Sequence, residues 1–302
     1  MLSPQRPNAL RGQVIAVLNM GSGAGHEEAP GRMKRILADG GVTTAEVVAV
    51  KSGELVAALD DAVMRADAVV VLGGDGTISC AAEKCGLGAK PLVVLPGGTM
   101  NMLPRALVGE RGWEQALVDT LADPAIHAVS GGRAQGQLFF CAAVLGAPSL
   151  WADAREALRG ADLAEAAKRS LSALRHSHDK PLTYRFDDLA TGEAQAVAVI
   201  CPLISRAVAE DAPSLEIAAI EPQTAASLFR LAFHTVFDNW RLDPDVHLAR
   251  VRGAEVTGHG RVPAILDGEL TRLARTVEVE FVPHAFDAIV PAGQAIGAVA
   301  SL

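Results

Sequence analysis

Ala68-Val69-Val70-Val71-Leu72-Gly73-Gly74-Asp75-Gly76-Thr77 is the stretch on which the fold of this chain turns. Its apolar run is continuous rather than alternating, which is the pattern of a strand covered on both faces in a parallel sheet. The run ends in a glycine-rich turn, and Ile78 to Cys85 then carries apolar residues at helical spacing. Glycines let backbone N–H groups approach an anion closely, the helix start adds a partial positive charge, and Thr77 is placed to cap that helix. The competing reading is a plain strand-to-helix turn with Asp75 on the surface.

The same rhythm repeats on either side. Val14 to Leu18, Thr43 to Val50 and Leu92 to Leu95 read as further strands, and Arg32 to Ala38 and Glu54 to Arg65 as helices between them. Strand and helix in alternation predict an α/β domain whose ligands bind at the carboxyl ends of its strands. Two more glycine loops fall at that edge: Asn19-Met20-Gly21-Ser22-Gly23-Ala24-Gly25 after the first strand, and Pro96-Gly97-Gly98-Thr99-Met100-Asn101 after the fourth. No Lys stands where the GxxxxGK[ST] loop needs one, so this is not a P-loop protein. Three polar glycine loops on one edge favour a nucleotide site over turns serving stability alone.

After about residue 126 the pattern changes to short strands with turn signals. These are Ala128 to Gly132, Gly136 to Leu145, Thr183 to Asp187, Ala194 to Ile200, Leu215 to Ile220, Val256 to His259, Ala264 to Leu270 and Thr276 to Val282. They predict a mostly antiparallel domain, interrupted by helical segments at about Leu150 to Arg175 and Gln223 to Trp240. The expected domains are residues 1–127, with a tail at about 288–302 that returns to them, and residues 128–287. Within the second, Asp267-Gly268-Glu269 sets two carboxylates around a glycine; Asp-Gly is also a leading hairpin dipeptide. His176 and His178 read as a solvated helix end. Phe229, Phe233, Phe237 and Trp240 share one helix face, read as core packing or as a wall that meets lipid.

Composition bounds the function. Lys and Arg number 27 against 35 Asp and Glu, a formal net charge of −8, which argues against nucleic acid as partner. The chain is long enough for about two domains. No run of 18 residues is apolar enough to suggest a membrane span, and the apolar run after the N-terminal residues is too short for an export signal. Cys80, Cys85, Cys141 and Cys201 lack metal-site spacing and fit a reducing compartment.

Taken together, these motifs resemble the diacylglycerol kinase catalytic-domain family, which includes sphingosine and ceramide kinases and bacterial lipid kinases. Asn19 with Gly21-Ser22-Gly23 matches NPxSG, Gly73 to Thr77 matches GGDGT, Pro96 to Thr99 with Asn101 matches PxGTxN, and Asp267 to Glu269 matches DGE. The resemblance spans nearly the whole chain, although GGDG alone is shared with NAD kinases and phosphofructokinases. It implies an N-terminal parallel-sheet α/β nucleotide-binding domain, a C-terminal antiparallel β-sandwich-like domain, and an active site in the cleft between them. It implies ATP and Mg2+ as cofactors, transfer of the γ-phosphate to a lipid hydroxyl, and a cytoplasmic protein that visits the inner face of the membrane and is able to form homo-oligomers. Asp267 matches the family's base and Glu269 the acidic residue beside it. Asn19, Ser22, Gly23, Gly73, Gly74, Asp75, Gly76, Thr77, Gly98, Thr99 and Asn101 match its nucleotide loops, with Asp75 the candidate for Mg2+. Met20 replaces the motif Pro, Met102 stands where many members carry Asp, and Cys201 to Arg206 lack the family's Asn and Gly cluster. A soluble NAD kinase-like enzyme and a non-catalytic nucleotide or lipid sensor are the alternatives.

Overall fold

The computed structural model describes residues 8–146, 181–187, 190–221, 241 and 243–297. The chain forms two compact units. Unit 1 comprises Met1–Gly131, Leu203–Glu210 and Val282–Leu302; unit 2 comprises Gly132–Pro202 and Asp211–Phe281. The helical segments expected near Leu150 to Arg175 and Gln223 to Trp240 lie outside the described residues, as do His176, His178 and the Phe229, Phe233, Phe237 and Trp240 face.

Unit 1 is built on strands β1 (Val14–Asn19), β2 (Ala45–Val50), β3 (Ala68–Gly73) and β4 (Leu92–Pro96). They pair in parallel in the order β2-β1-β3-β4. Every residue of β1 and β3 is buried, while β2, at the sheet edge, is mostly half-exposed. Helices α1 (Ala29–Asp39), α2 (Leu55–Arg65), α3 (Asp75–Leu87), α4 (Met102–Val108) and α5 (Trp113–Ala122) cover the sheet. Their apolar stripes are regular: α1 buries Ala29, Met33 and Leu37, and α2 buries Leu55, Leu59 and Ala62. From β1 the chain steps to β2 on one side and then to β3 on the other. The switch point of this sheet therefore lies at the carboxyl ends of β1 and β3, where open α/β sheets bind ligands.

Unit 2 is antiparallel. It draws on β5 (Pro124–Ala134), β6 (Gln137–Phe139), β7 (Ala142–Gly146), β8 (Leu182–Phe186), β9 (Ala190–Ala194), β10 (Ala196–Ile200), β11 (Leu215–Ile220), β12 (Val246–Val251), β13 (Gly253–Thr257), β14 (Pro263–Leu266), β15 (Glu269–Arg272) and β16 (Thr276–Pro291). One layer is β16-β13-β8-β9 with β5 and β6; the other is β12-β11-β10-β7-β14-β15. Tyr184, Phe186, Val256 and Val277 from the first layer share one core with Leu145, Val197, Val199, Ile217 and Ala264 from the second. β5 up to Gly131 and β16 beyond Phe281 belong to unit 1, where Ala288 pairs with Leu92 of β4 in parallel. The architecture is thus the α/β unit plus antiparallel β unit that the sequence predicts.

Several elements differ in detail. The run Gly136 to Leu145 is two strands, because the chain breaks at Phe140 and Cys141. The run Ala194 to Ile200 starts instead at Ala196, and Ala194 ends β9, a separate strand that the sequence reading does not anticipate. Ala264 to Leu270 is a hairpin, β14 and β15, closed at the Leu266 and Glu269 pair. Helices α4 and α5 and strand β12 are not anticipated by the apolar spacing. In α4 the masking feature is Pro104, which sits in the first turn, where a missing N–H costs no helical hydrogen bond.

Candidate active site

Four loops leave the carboxyl ends of β1 to β4, and side chains tie all of them together. Asn19, the last residue of β1, is 7% exposed. Its Oδ1 accepts from Gly21 N–H (3.0 Å) and Ser52 Oγ (3.1 Å), and its Nδ2 donates to Thr77 Oγ1 (2.8 Å). One amide thereby joins the loops after β1, β2 and β3. Ser22 Oγ donates to Asn19 C=O at 2.7 Å, and Ala24 N–H donates to Gly97 C=O at 3.0 Å, which links the loop after β1 to the loop after β4. Ser52 carries no signal in the sequence beyond following a strand, so its part in this cluster is visible only in three dimensions.

The loops after β3 and β4 meet through Asp75 and Asn101. Asp75 Oδ1 accepts from Met102 N–H (2.7 Å) and Oδ2 from Asn101 N–H (2.9 Å). Its carboxylate thus serves the first turn of α4, an orphan-donor position that acidic groups favour electrostatically. Asn101 adopts a left-handed conformation, φ +50°, which Asn tolerates better than most residues. Its side chain forms a closed pair with Gly98, accepting from Gly98 N–H (2.7 Å) and donating to Gly98 C=O (2.8 Å).

Two glycines here are required by packing. A Cβ on Gly98 would stand 2.7 Å from Gly74 Cα, and one on Gly73 would stand 2.4 Å from the Thr77 side chain. Backbone meets backbone where the loops after β3 and β4 pass each other, so glycine serves loop-to-loop contact as well as any anion. Thr77 does not cap α3, contrary to the sequence expectation. Its hydroxyl is held by Asn19, and the N-cap residue is Gly74, which has no side chain to offer. The first-turn N–H groups of α3 thus point out of a 13-residue helix with no side-chain cap, an arrangement suited to phosphate. Gly21, Gly23 and Thr99 are exposed around it, and Ser22, Gly74, Gly76 and Gly98 are half-buried.

The nucleotide and metal suit this donor set differently. Uncapped N–H groups and backbone-close glycines fit a polyphosphate. Among the described residues no cluster of three or more His, Cys, Asp or Glu could cage a metal. Both Asp75 oxygens already accept one N–H each, leaving a second lone pair on each. That fits a Mg2+ ion carried mainly by phosphate oxygens and water, with at most one carboxylate from the protein.

In unit 2, Asp267 (φ +45°) and Gly268 (φ +90°) form the two-residue turn of the β14 and β15 hairpin. The hairpin-turn reading is what the fold shows, and this turn presents the Asp267 carboxylate to the break between β6 and β7. Oδ2 accepts from Phe140 N–H (2.8 Å), and Oδ1 from Cys141 N–H (2.8 Å) and Ala142 N–H (3.0 Å). Asp267 N–H returns a bond to Ala142 C=O at 2.9 Å. Glu269 is exposed at the start of β15, in surroundings unlike those of Asp267. The main chain at 140–142 is a part of this cluster that no side-chain motif announces.

Residues 13–134 match the family model of the diacylglycerol kinase catalytic domain. Among solved structures, the chain is similar to a candidate diacylglycerol kinase from Bacillus anthracis str. Sterne, with TM-score 0.73 and 19% identity over 93% of this chain and 96% of that one. A diacylglycerol kinase structure from the same organism gives TM-score 0.67 and 15% identity over 93% and 97% of the two chains. At these identities the likeness is one of fold, and it extends over both units.

Proposed function

We propose that this chain, whose residues 13–134 match the family model of the diacylglycerol kinase catalytic domain, transfers the γ-phosphoryl group of ATP to a hydroxyl of a lipid. The observation that carries this reading is the closed loop cluster of unit 1. Asn19, Ser52, Thr77, Asp75 and Asn101 tie four loops around the uncapped start of α3 through their own hydrogen bonds. Phosphoryl transfer asks the protein mainly for positioning and charge stabilisation; in this reading the braced loops supply the first and the uncapped N–H groups of α3 the second.

In this reading the α3 N–H groups and the loops at Ser22, Gly23, Gly98 and Thr99 hold the phosphates, while Asn19, Thr77 and Asn101 hold those loops. Mg2+, when bound with ATP, neutralises phosphate charge, and Asp75 is the carboxylate within unit 1 suited to contact it directly or through water. Asp267 accepts the proton of the acceptor hydroxyl as that oxygen attacks, and Glu269 contributes negative charge beside it. The main-chain donors at 140–142 keep the Asp267 carboxylate aimed. Unit 2 provides acceptor binding. A lipid acceptor would be met by peripheral contact at the inner membrane face; among the described residues no helix is long and apolar enough to cross a membrane.

The test is direct. Purified protein is incubated with γ-labelled ATP, Mg2+ and a total lipid extract, and the chloroform-soluble fraction is analysed. A labelled lipid is the expected product. Label confined to water-soluble metabolites would replace this reading with a soluble-metabolite kinase, and ATP binding without transfer to any acceptor would replace it with a sensor.

A further inference from the structure

The segment Cys201 to Arg206 departs from the family's Asn and Gly cluster, and Cys201 has a definite place beside Asp267. Strand β10 pairs with β7 so that Ile200 faces Ala142 and the next position sets Cys201 against Cys141. Cys201 N–H donates to Cys141 C=O at 2.9 Å, while the N–H of the same Cys141 donates to Asp267 Oδ1 at 2.8 Å. The Cys201 thiol donates to Phe139 C=O at 3.6 Å. Cys201 therefore grips both ends of the break at Phe140 and Cys141, and that break supplies the N–H groups that hold Asp267.

The thiol is fully buried within the unit 2 core. Burial first, and then the charge of Asp267, push it well above the ordinary thiol range, with an opposing hydrogen bond from the Gly132 main chain. It stays S–H at neutral pH and so remains a donor to Phe139. A longer polar side chain in this dry position would need partners that the core does not supply.

We propose that Cys201 is a positioning residue for Asp267, acting through the Phe139 to Ala142 main chain. The inference rests on the reading of Asp267 as the base. Peptide groups linked in series polarise one another and share their geometry, so a shift at Cys201 is carried to the carboxylate. The thiol fills the site without competing for the N–H groups that face Asp267.

Three variants test it in the full chain: Cys201→Ala, Cys201→Ser and Asp267→Asn. Turnover is measured with labelled ATP and the lipid fraction, the folded fraction by near-ultraviolet circular dichroism, and the Asp267 carboxyl carbon by ¹³C NMR. Cys201→Ala should lower kcat by about 10- to 100-fold, the scale of a small misplacement at a reacting centre, with KM for ATP unchanged. Cys201→Ser, which keeps a donor toward Phe139, should recover most of the rate. The Asp267 carboxyl resonance should move in Cys201→Ala and stay near its native position in Cys201→Ser. Wild-type kcat in folded Cys201→Ala would overturn the proposal. So would a loss that only tracks the folded fraction, or an Asp267 resonance that does not move. Should Cys201→Ala not fold, Cys201→Val, which keeps the bulk and lacks the donor, takes its place under the same criteria. Full turnover in Asp267→Asn would instead remove the base reading, and the resonance would still decide whether Cys201 holds the carboxylate.

Discussion

Asp75 accepts hydrogen bonds from Asn101 N–H and Met102 N–H, so Asp75→Ala strands two donors in the first turn of α4. By analogy with the loss of a capping group, the substitution should cost about 1 to 2 kcal/mol. Chemical denaturation should register that loss, and an ATP titration should show weaker binding as the loop after β4 drifts. Unchanged stability with lost ATP affinity would instead make Asp75 a direct ligand with no bracing role. Asp267→Asn removes the proton acceptor we propose and also sets an amide NH2 against one of the N–H donors at 140–142. Turnover should fall by about 10²- to 10⁴-fold with ATP affinity retained, as rate assays and an ATP titration on the same sample would show. Both residues are legible in the sequence as acids beside glycines. Their partners are not, because backbone N–H groups have no side-chain signature.

Strands β3 and β4 end in loops that pass each other at Gly74 and Gly98, and here the glycine motifs record packing between two elements. Gly98→Ala would place its Cβ 2.7 Å from Gly74 Cα, a contact that only backbone movement relieves. ATP affinity should drop at least tenfold, while the strands of unit 1, buried behind the loops, keep their protection in hydrogen exchange. Loss of protection throughout β1 and β3 would show that the loop contact supports the whole sheet instead. The β14 and β15 hairpin follows the same logic from a different direction. Asp-Gly dictates a tight turn from sequence alone, since both residues must take positive φ. The break between β6 and β7 that receives its carboxylate lies within an apolar run with nothing to mark it, so the period of the run predicts one strand where there are two.

Unit 1 is completed from the far end of the chain. Phe286, Ala288, Ile289 and Val290 of β16 are all buried, and Ala288 pairs beside Leu92. Truncation after Phe281 would remove several fully buried side chains, each worth about 1.5 to 3 kcal/mol for the larger ones, a sum comparable to the stability of a domain. The truncated chain should lose cooperative unfolding of unit 1, measured by calorimetry, and its retention would show that β4 tolerates an open edge. Alkaline stability reports on the same core. Burial pushes Cys85, on the inner side of α3, up from 9.0 to about 12. Between those values the unfolded chain releases a proton that the folded chain keeps, so stability falls as pH rises from about 9 toward 12. Cys201 acts in the same direction. Cys85→Ala should flatten the decline of Tm with pH above 9, and an unaltered slope would assign that decline to other groups.

Apolar periods, glycine turns and the position of each motif after its strand express short-range physics: side chains alternate or repeat along an element, and glycine alone fits certain backbone shapes. Hence the α/β unit, the antiparallel unit and the loop edge are readable along the chain. The couplings between motifs are long-range. Asp75 meets Asn101 across 26 positions, Asn19 meets Ser52 across 33, and Asp267 meets Phe140 across 127. Such pairs are chosen by strand order and by which loops the sheet brings to one edge, and in most of them one partner is a backbone group common to every residue. Tertiary structure alone therefore decided that Thr77 is held rather than capping, that Asp75 braces α4, and that a break in an apolar run aims the Asp267 carboxylate.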